Sequence, residues 1–364
     1  MKHWKETGEL LGRAVRLAES GRGAAIATVV AIERSAYRRP GAKYLVEADG
    51  ETAGSISGGC LEADVREIAL AIAGGAPPRL VRYDTGGDDG SPFGLGLGCS
   101  GAIDIFVQRF GTEEREFARA QLELLSGDAP FAVGTVLGGE AAGRAVVVSA
   151  AGARTGTTGQ ASLDAELAAA AGAAIASRES RRQKLDHTGA DVFVEVLDPP
   201  PHLVIFGAGD DAMPLCAFSS AAGFRVTVVD HREATLEASR FPGAWRRVLL
   251  RPEDGTGSLP LGPRALAVVK THSFGVDREW MRRLLAAGVR YAGLLGPRAR
   301  AKEILTQIGA DEETARRVYA PVGLDLGAEG PEQVALSIVA ELLAFHASRE
   351  PASLRGKTNP IHAV

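Results

Sequence analysis

The segment from His202 to Asp230 constrains the fold of this 364-residue chain more than any other. It reads as an apolar strand (His202 to Phe206), the glycine turn Gly207-Ala208-Gly209-Asp210-Asp211-Ala212, a helix to Ala222, a stop at Gly223, and a strand from Arg225 that ends on an acid. In such a unit Gly207 makes the tight turn, Gly209 lets backbone approach a pyrophosphate, and Ala212 replaces the third glycine of the fingerprint. Asp230, just over about 20 residues on, is placed to accept hydrogen bonds from a ribose. Asp210 and Asp211 disturb that reading, because they put two negative charges where phosphates would lie. Either they cap the helix or the turn binds something other than a dinucleotide. Strand and helix go on alternating: Ala265 to Lys270, Asp277 to Ala287, Tyr291 to Leu295, a short strand near Arg317 to Tyr319, and a long helix from Pro331 to Ala347. That order implies a parallel sheet with helices on both faces.

Upstream the pattern is mixed. A helix over Leu10 to Ser20, a strand over Ala24 to Glu33 and a hairpin from Lys43 to Glu47 with Thr52-Ala53 precede a helix over Leu61 to Ala73. Strands follow at Arg79 to Asp84 and Ala102 to Gln108, then a helix over Glu113 to Ser126. Ala132 to Leu137, Ala145 to Ser149 and Asp191 to Leu197 read as strands of the same sheet, with a helix over Ser162 to Ser177 between them. No internal repeat is visible. Asp198-Pro199-Pro200-Pro201 is a stiff linker where both patterns stop. The expectation is an α/β protein: an N-terminal mixed α/β domain over 1–198, a Rossmann-like doubly wound parallel-sheet domain over 202–348, and a polar tail over 349–364.

Two cysteines sit inside glycine-rich turns, Gly54-Ser55-Ile56-Ser57-Gly58-Gly59-Cys60-Leu61-Glu62 and Gly94-Leu95-Gly96-Leu97-Gly98-Cys99-Ser100-Gly101. A free cysteine is ordinarily a small core residue. Here the neighbours have little or no side chain, so amides around Gly58, Gly59 and Gly98 can converge on an anion beside the sulfurs of Cys60 and Cys99. The positive end of the following helix would also lower the Cys60 thiol pKa. Glu62 tunes that thiol or caps its helix. Arg38 and Arg39, before Pro40-Gly41, add positive charge near the first turn. Cys216, within a helical apolar pattern, belongs to the core.

Three loops follow strands of the second half, where open α/β sheets bind ligands. They carry Thr271 and His272, then Arg298, which suits a phosphate, then Asp325 in Pro321-Val322-Gly323-Leu324-Asp325-Leu326-Gly327. The chain has no zinc, P-loop or GxSxG signature. A net charge of −4 with both signs interspersed argues against nucleic acid or an anionic membrane as partner. Three cysteines, an odd and small number, suit a reducing cytoplasm, and a polar start lacks a signal peptide's apolar stretch.

These motifs together resemble the XdhC/CoxI family of accessory proteins that mature xanthine dehydrogenase-type molybdenum enzymes. The resemblance rests on the Ser35-to-Gly41 turn, both cysteine loops, and Val228-Val229-Asp230-His231-Arg232. It continues through Thr271-His272 with Asp277, Gly293-Leu294-Leu295-Gly296-Pro297-Arg298 and the Pro321-to-Gly327 loop. Tyr37 and Ser100 depart from the usual form. The resemblance implies a chaperone rather than a turnover enzyme. It would bind the molybdenum cofactor (molybdopterin) as cargo, assist a cysteine desulfurase in sulfurating it, and deliver it to the apo-dehydrogenase. Glycine amides with Arg38, Arg39 or Arg298 suit the phosphate, and Cys60 or Cys99 suit the soft metal. A homodimer is expected, as two-fold oligomers are commonest. Two other readings stand beside this one: an NAD(P)-dependent oxidoreductase using the Rossmann half with His272 as acid/base, and a redox sensor forming a Cys60–Cys99 disulfide.

Overall fold

The computed structural model describes residues 2–34, 37–84, 101–262 and 264–356, in two compact units that divide between Pro199 and Pro200. The Gly86-to-Pro92 stretch, Ser35 and residues 357–364 lie outside the described residues.

The first unit opens with α1 (Lys2–Glu19), whose buried Trp4, Leu10, Leu11, Ala14, Val15 and Ala18 recur at helical spacing. It starts earlier than the apolar pattern from Leu10 suggested, because Trp4 anchors an otherwise polar first turn. Next come β1 (Ala24–Arg34), β2 (Lys43–Glu47), β3 (Thr52–Gly54), α2 (Glu62–Ala73), β4 (Arg79–Asp84) and β5 (Gly101–Phe110). They form an antiparallel sheet in the order β3-β2-β1-β5-β4.

The chain then does the same again. The elements α3 (Arg115–Ser126), β6 (Phe131–Val136), β7 (Ala145–Ser149), β8 (Arg154–Thr155), α4 (Ala161–Ser177), β9 (Arg181–Lys184) and β10 (Asp191–Leu197) give an antiparallel sheet ordered β8-β7-β6-β10-β9. The strands of 132–197 therefore pair with one another, in a sheet separate from β1–β5. Register matches as well as order. Ala24, Ile26 and Thr28 oppose Phe110, Gln108 and Phe106, and Phe131, Val133 and Thr135 oppose Leu197, Glu195 and Phe193. The unit is a duplicated α-β-β-β-α-β-β motif that no sequence repeat announced.

Each sheet carries its own helix on one face. Ala25, Ala27, Val29, Ile105 and Val107 pack under Val65, Ala69 and Ile72 of α2. Ala132, Val136, Val192 and Val194 pack under Leu167, Ala171 and Ala174 of α4. Gly134 permits the second contact, since a Cβ there would lie 2.6 Å from Leu167 Cγ. Alternate residues of β1, β5, β6 and β10 point to the opposite faces.

The second unit contains β11 (His202–Phe206), α5 (Ala212–Ala222), β12 (Arg225–Asp230), β13 (Arg246–Leu249), β14 (Leu266–Val269), α6 (Phe274–Ala286), β15 (Tyr291–Leu294), α7 (Arg298–Gln307), α8 (Glu312–Ala315), β16 (Val318–Tyr319) and α9 (Gly330–His346). Its six strands are all parallel, in the order β13-β12-β11-β14-β15-β16, the doubly wound arrangement expected. Leu203, Ile205, Val226, Val228 and Val268 face α5 and α9, while Val204, Phe206, Ala267 and Val269 face α6 and α7. Among the described residues no helix is long and apolar enough to cross a membrane.

Candidate functional site

Strand order reverses between β11 and β14, and the chain ends leaving these strands are stitched together there. The Lys270 N–H donates to the Phe206 carbonyl at 2.8 Å. Gly207, at φ 111°, is dictated by this neighbour, because a Cβ would sit 2.6 Å from the Lys270 carbonyl oxygen. Gly209 has an easier environment: a Cβ would meet only the Asp211 carboxylate, at 2.9 Å.

The charges on this turn are already matched. Asp230 accepts from the Ala208 N–H at 2.7 Å and the Arg232 N–H at 2.9 Å, and both its oxygens take the Arg232 guanidinium at 3.0 Å. Burial would raise its pKa, but Arg232 and the two amides outweigh it and hold the carboxyl at about 2. Asp211 occupies the N-cap position of α5 without a side-chain cap bond. Its Oδ2 instead meets Lys270 Nζ at 2.9 Å and His272 Nε2 at 2.8 Å. Lys270 is only 3 % exposed; burial pushes its ammonium below the usual value while Asp211 pulls it back. Burial likewise works to raise Asp211, and Lys270 and His272 more than reverse it. Arg240 joins Asp210 at 2.8 Å and the Ala208 carbonyl at 3.2 Å. A pyrophosphate therefore meets two carboxylates with bound cations, and a ribose meets an Asp230 whose oxygens are engaged. These residues do not fit a dinucleotide, and no hydride step follows from them.

Thr271 and His272 lie where expected, after β14. The Thr271 N–H and hydroxyl donate to Asp277 at 3.0 and 2.6 Å, and Arg300 reaches the other Asp277 oxygen at 2.6 Å. His272 holds a left-handed backbone (φ 62°) with an exposed ring. Arg298 opens α7 and is exposed; the arginine that turns inward is Arg300. Asp325 is exposed, on a loop fixed by the Gly323 N–H to Glu341 at 3.0 Å and the Ser337 hydroxyl to the Leu324 carbonyl at 2.5 Å. Lys270, Asp211 and Arg300 are the residues sequence reasoning passed over in these roles. Their one linear signal is charge at the end of an apolar strand or the start of a helix.

In the first unit Cys60 is exposed, on the turn between β3 and α2 with Gly58 and Gly59 at φ 98° and 119°. Glu62 neither caps its helix nor leaves the amides open. It accepts from the hydroxyls of Ser55 and Ser57 and from the N–H groups of Ile56, Ser57, Gly58 and Gly59. Burial opposes its charge, but these donors, Ser57 foremost, hold its pKa at about 2. The anion cradle predicted at this turn thus already contains a carboxylate of the chain. The duplicated half repeats the device without a cysteine: between β8 and α4, Thr157 and Thr158 donate to Asp164 at 2.5–2.6 Å. Arg38 is paired with Glu6 of α1, and Arg39 is half-buried on the adjoining turn. Gly98 and Cys99 lie outside the described residues. Cys216 is buried, and burial pushes its thiol up to about 11. Among the described residues no group of three or more His, Cys, Asp or Glu is set to hold a metal ion.

Comparison with known proteins adds the context these loops lack. Residues 17–84 match the "XdhC and CoxI family", a stretch that includes the Cys60 turn, and residues 203–342 match the "XdhC Rossmann domain". The chain is 32% identical over 282 residues to a probable xanthine dehydrogenase subunit of Bacillus subtilis (strain 168), covering 77% of this chain and 81% of that one. It is 38% identical over 101 residues to the molybdenum cofactor insertion chaperone PaoD of Escherichia coli (strain K12), covering 28% and 30% of the two chains. A crystal structure described as a xanthine dehydrogenase from Bacillus halodurans superposes with a TM-score of 0.77 at 29% identity, over 96% of this chain and 98% of that one.

Proposed function

This chain belongs to the XdhC and CoxI family, and we propose that it is an accessory protein for molybdenum cofactor maturation. In this reading it binds the cofactor as cargo, presents it to a cysteine desulfurase for sulfuration, and passes it to a xanthine dehydrogenase-type apoenzyme. Similarity to an insertion chaperone supports the coarse role. The observation that carries the residue-level reading is Cys60, an exposed sulfur on a turn locked by one carboxylate. A thiol placed to fill a core would be buried, as Cys216 is. A thiolate is a soft ligand suited to a molybdenum centre, and a fixed turn presents it without the entropy of ordering a loop. The chain's own part is to hold that sulfur outward and to release the cargo to a partner.

The test is co-purification of wild-type and Cys60→Ala protein from a molybdate-fed host, with molybdenum and pterin measured on the eluate. Retention by the wild type and its loss in the variant are expected. Equal retention removes Cys60 from the role, and no cofactor on either protein removes the cargo reading. The nicotinamide alternative predicts micromolar NAD(H) binding by fluorescence titration. The matched charges at Asp211 and Asp230 lead us to expect none.

A further inference from the structure

Helix α9 has two apolar faces, and the second unit covers only one of them. Ala335, Ile338, Val339 and Leu342 are buried in the core shared with α5 and the sheet. A helix that only covers a sheet turns polar groups outward. Here the outward stripe is Leu336, Ala340, Leu343 and Ala347, three or four residues apart and so on one side of the helix. Leu336 is 53 % exposed and Leu343 36 %. Leu326, 60 % exposed, lies on the loop fixed to Ser337, the residue beside Leu336. These are three of the seven large apolar side chains exposed among the described residues, gathered on one helix and its neighbouring loop. Apolar groups scattered singly need no explanation, whereas a strip of them marks an interaction surface.

The charges around the strip are sorted by end. Glu329 and Glu332 are exposed at the start of α9. His346, Arg349 and Arg355 stand against Glu350 at and beyond its end, which is therefore positive. Arg349 folds back on the last turn, its N–H donating to the Ala344 carbonyl at 2.9 Å. This polarity suits the helix's own dipole, and it also sets how two such helices can meet. Parallel copies would oppose acid to acid. Antiparallel copies related by a two-fold axis near Ala340 bring each Glu332 toward the other copy's Arg349, and each Leu336 beside the other copy's Leu343. Ala340, small, lets the two backbones approach where they cross. Such a face is complementary to itself, as a two-fold interface requires.

We infer that the outer face of α9 is an interface between two copies of this chain, paired antiparallel about Ala340. The strip is narrow. A 17-residue helix is about 25 Å long and about 10 Å wide. Even with the Leu326 loop it offers less than the roughly 800 Å² per copy of a standard interface. The dimer is therefore weak, with half-association at about 10–100 µM. This pairing does not depend on what the chain carries as cargo.

The experiment is sedimentation velocity on the full-length protein from micromolar to millimolar concentration. The wild type passes from monomer to dimer across that range. Leu336→Glu with Leu343→Glu raises the midpoint at least about tenfold. Its melting temperature in dilute solution stays level, because both side chains already face solvent in the monomer. Glu332→Lys loosens the dimer several-fold at low salt, and adding Arg349→Glu restores it, a rescue that a merely structural role would not give. A wild type that stays monomeric at millimolar concentration overturns the inference and leaves the strip to a different protein. A dimer that the leucine variant leaves intact overturns it too, since association then uses another face. A reversal that Arg349→Glu fails to rescue overturns the antiparallel alignment.

Discussion

Glu62 organises the Cys60 turn only while it is ionised, so its charge state sets the pH range over which that turn is held. Its pKa falls from an ordinary 4.5 to about 2 in the folded chain. A carboxyl depressed on folding stabilises fully above its unfolded value and loses that contribution as pH falls through the folded one. The Glu62 contribution is therefore intact above pH 4.5 and disappears between pH 4.5 and about 2. Glu62→Ala leaves several loop amides unsatisfied, and a destabilisation of about 1–3 kcal/mol follows at pH 7. The wild-type and variant stabilities, measured by urea denaturation, converge toward pH 2 if the assignment is right; a constant gap across the range refutes it. Asp164→Ala, which frees fewer donors, costs less than Glu62→Ala. Lys270 tests the other trap. Lys270→Met strands a carboxylate that keeps only His272 beside it, and loss of about 2–4 kcal/mol is expected, below the full cost of breaking a buried pair. The double variant Lys270→Met with Asp211→Asn recovers part of that loss. None of these pairings was legible in the sequence. Glu62 and Asp211 stood out as acids near glycine turns, but which donors they meet is decided by chain reversal and by a neighbouring strand.

At the scale of elements, legibility followed burial. Strands β11, β12, β14 and β15 are covered on both faces, so they appear in the sequence as unbroken apolar runs. The glycine turn and Asp230 fell where that pattern placed them. Strand β13 escaped notice because Arg246-Arg247-Val248-Leu249 is a charged edge strand with little burial, and charge on an edge guards against unwanted pairing. Helix α7 escaped because only Ala301 and Ile304 are buried in a run of charged residues. The glycines of the β11–α5 turn were also legible, yet for a reason the fingerprint does not give. If Gly207 serves chain packing, Gly207→Ala drives a Cβ into the Lys270 carbonyl from a left-handed backbone. It then costs at least about 2 kcal/mol through strain and overpacking. Gly209→Ala, facing only the movable Asp211 carboxylate, costs under about 1 kcal/mol. Thermal melts of the two variants check this; equal losses would mean that the close approach to β14 does not set the residue at 207.

At the scale of the molecule, the duplication of the first unit stayed hidden because topology asks little of sequence. A strand equivalent to another needs the same parity of apolar residues and the same register, not the same residues. Ala25, Ala27 and Val29 correspond to Ala132, Gly134 and Val136, a likeness too slight to register as a repeat. Identical side chains recur on both faces, Ala25 with Ala132 and Val29 with Val136 under the helices, Thr28 with Thr135 and Phe106 with Phe193 along a cavity of about 490 Å³. Packing alone does not ask for a hydroxyl at Thr28 or Thr135, since apolar contact is what fills a core. The consequence is measurable: both threonines are partly open, so Thr28→Val with Thr135→Val, which preserves shape while removing both hydroxyls, shifts stability by no more than about 0.5 kcal/mol. Were denaturant melts to show it less stable, the hydroxyls would be structural, satisfied in the folded chain by ordered water. The cavity would then be a hydrated seam between the duplicated halves.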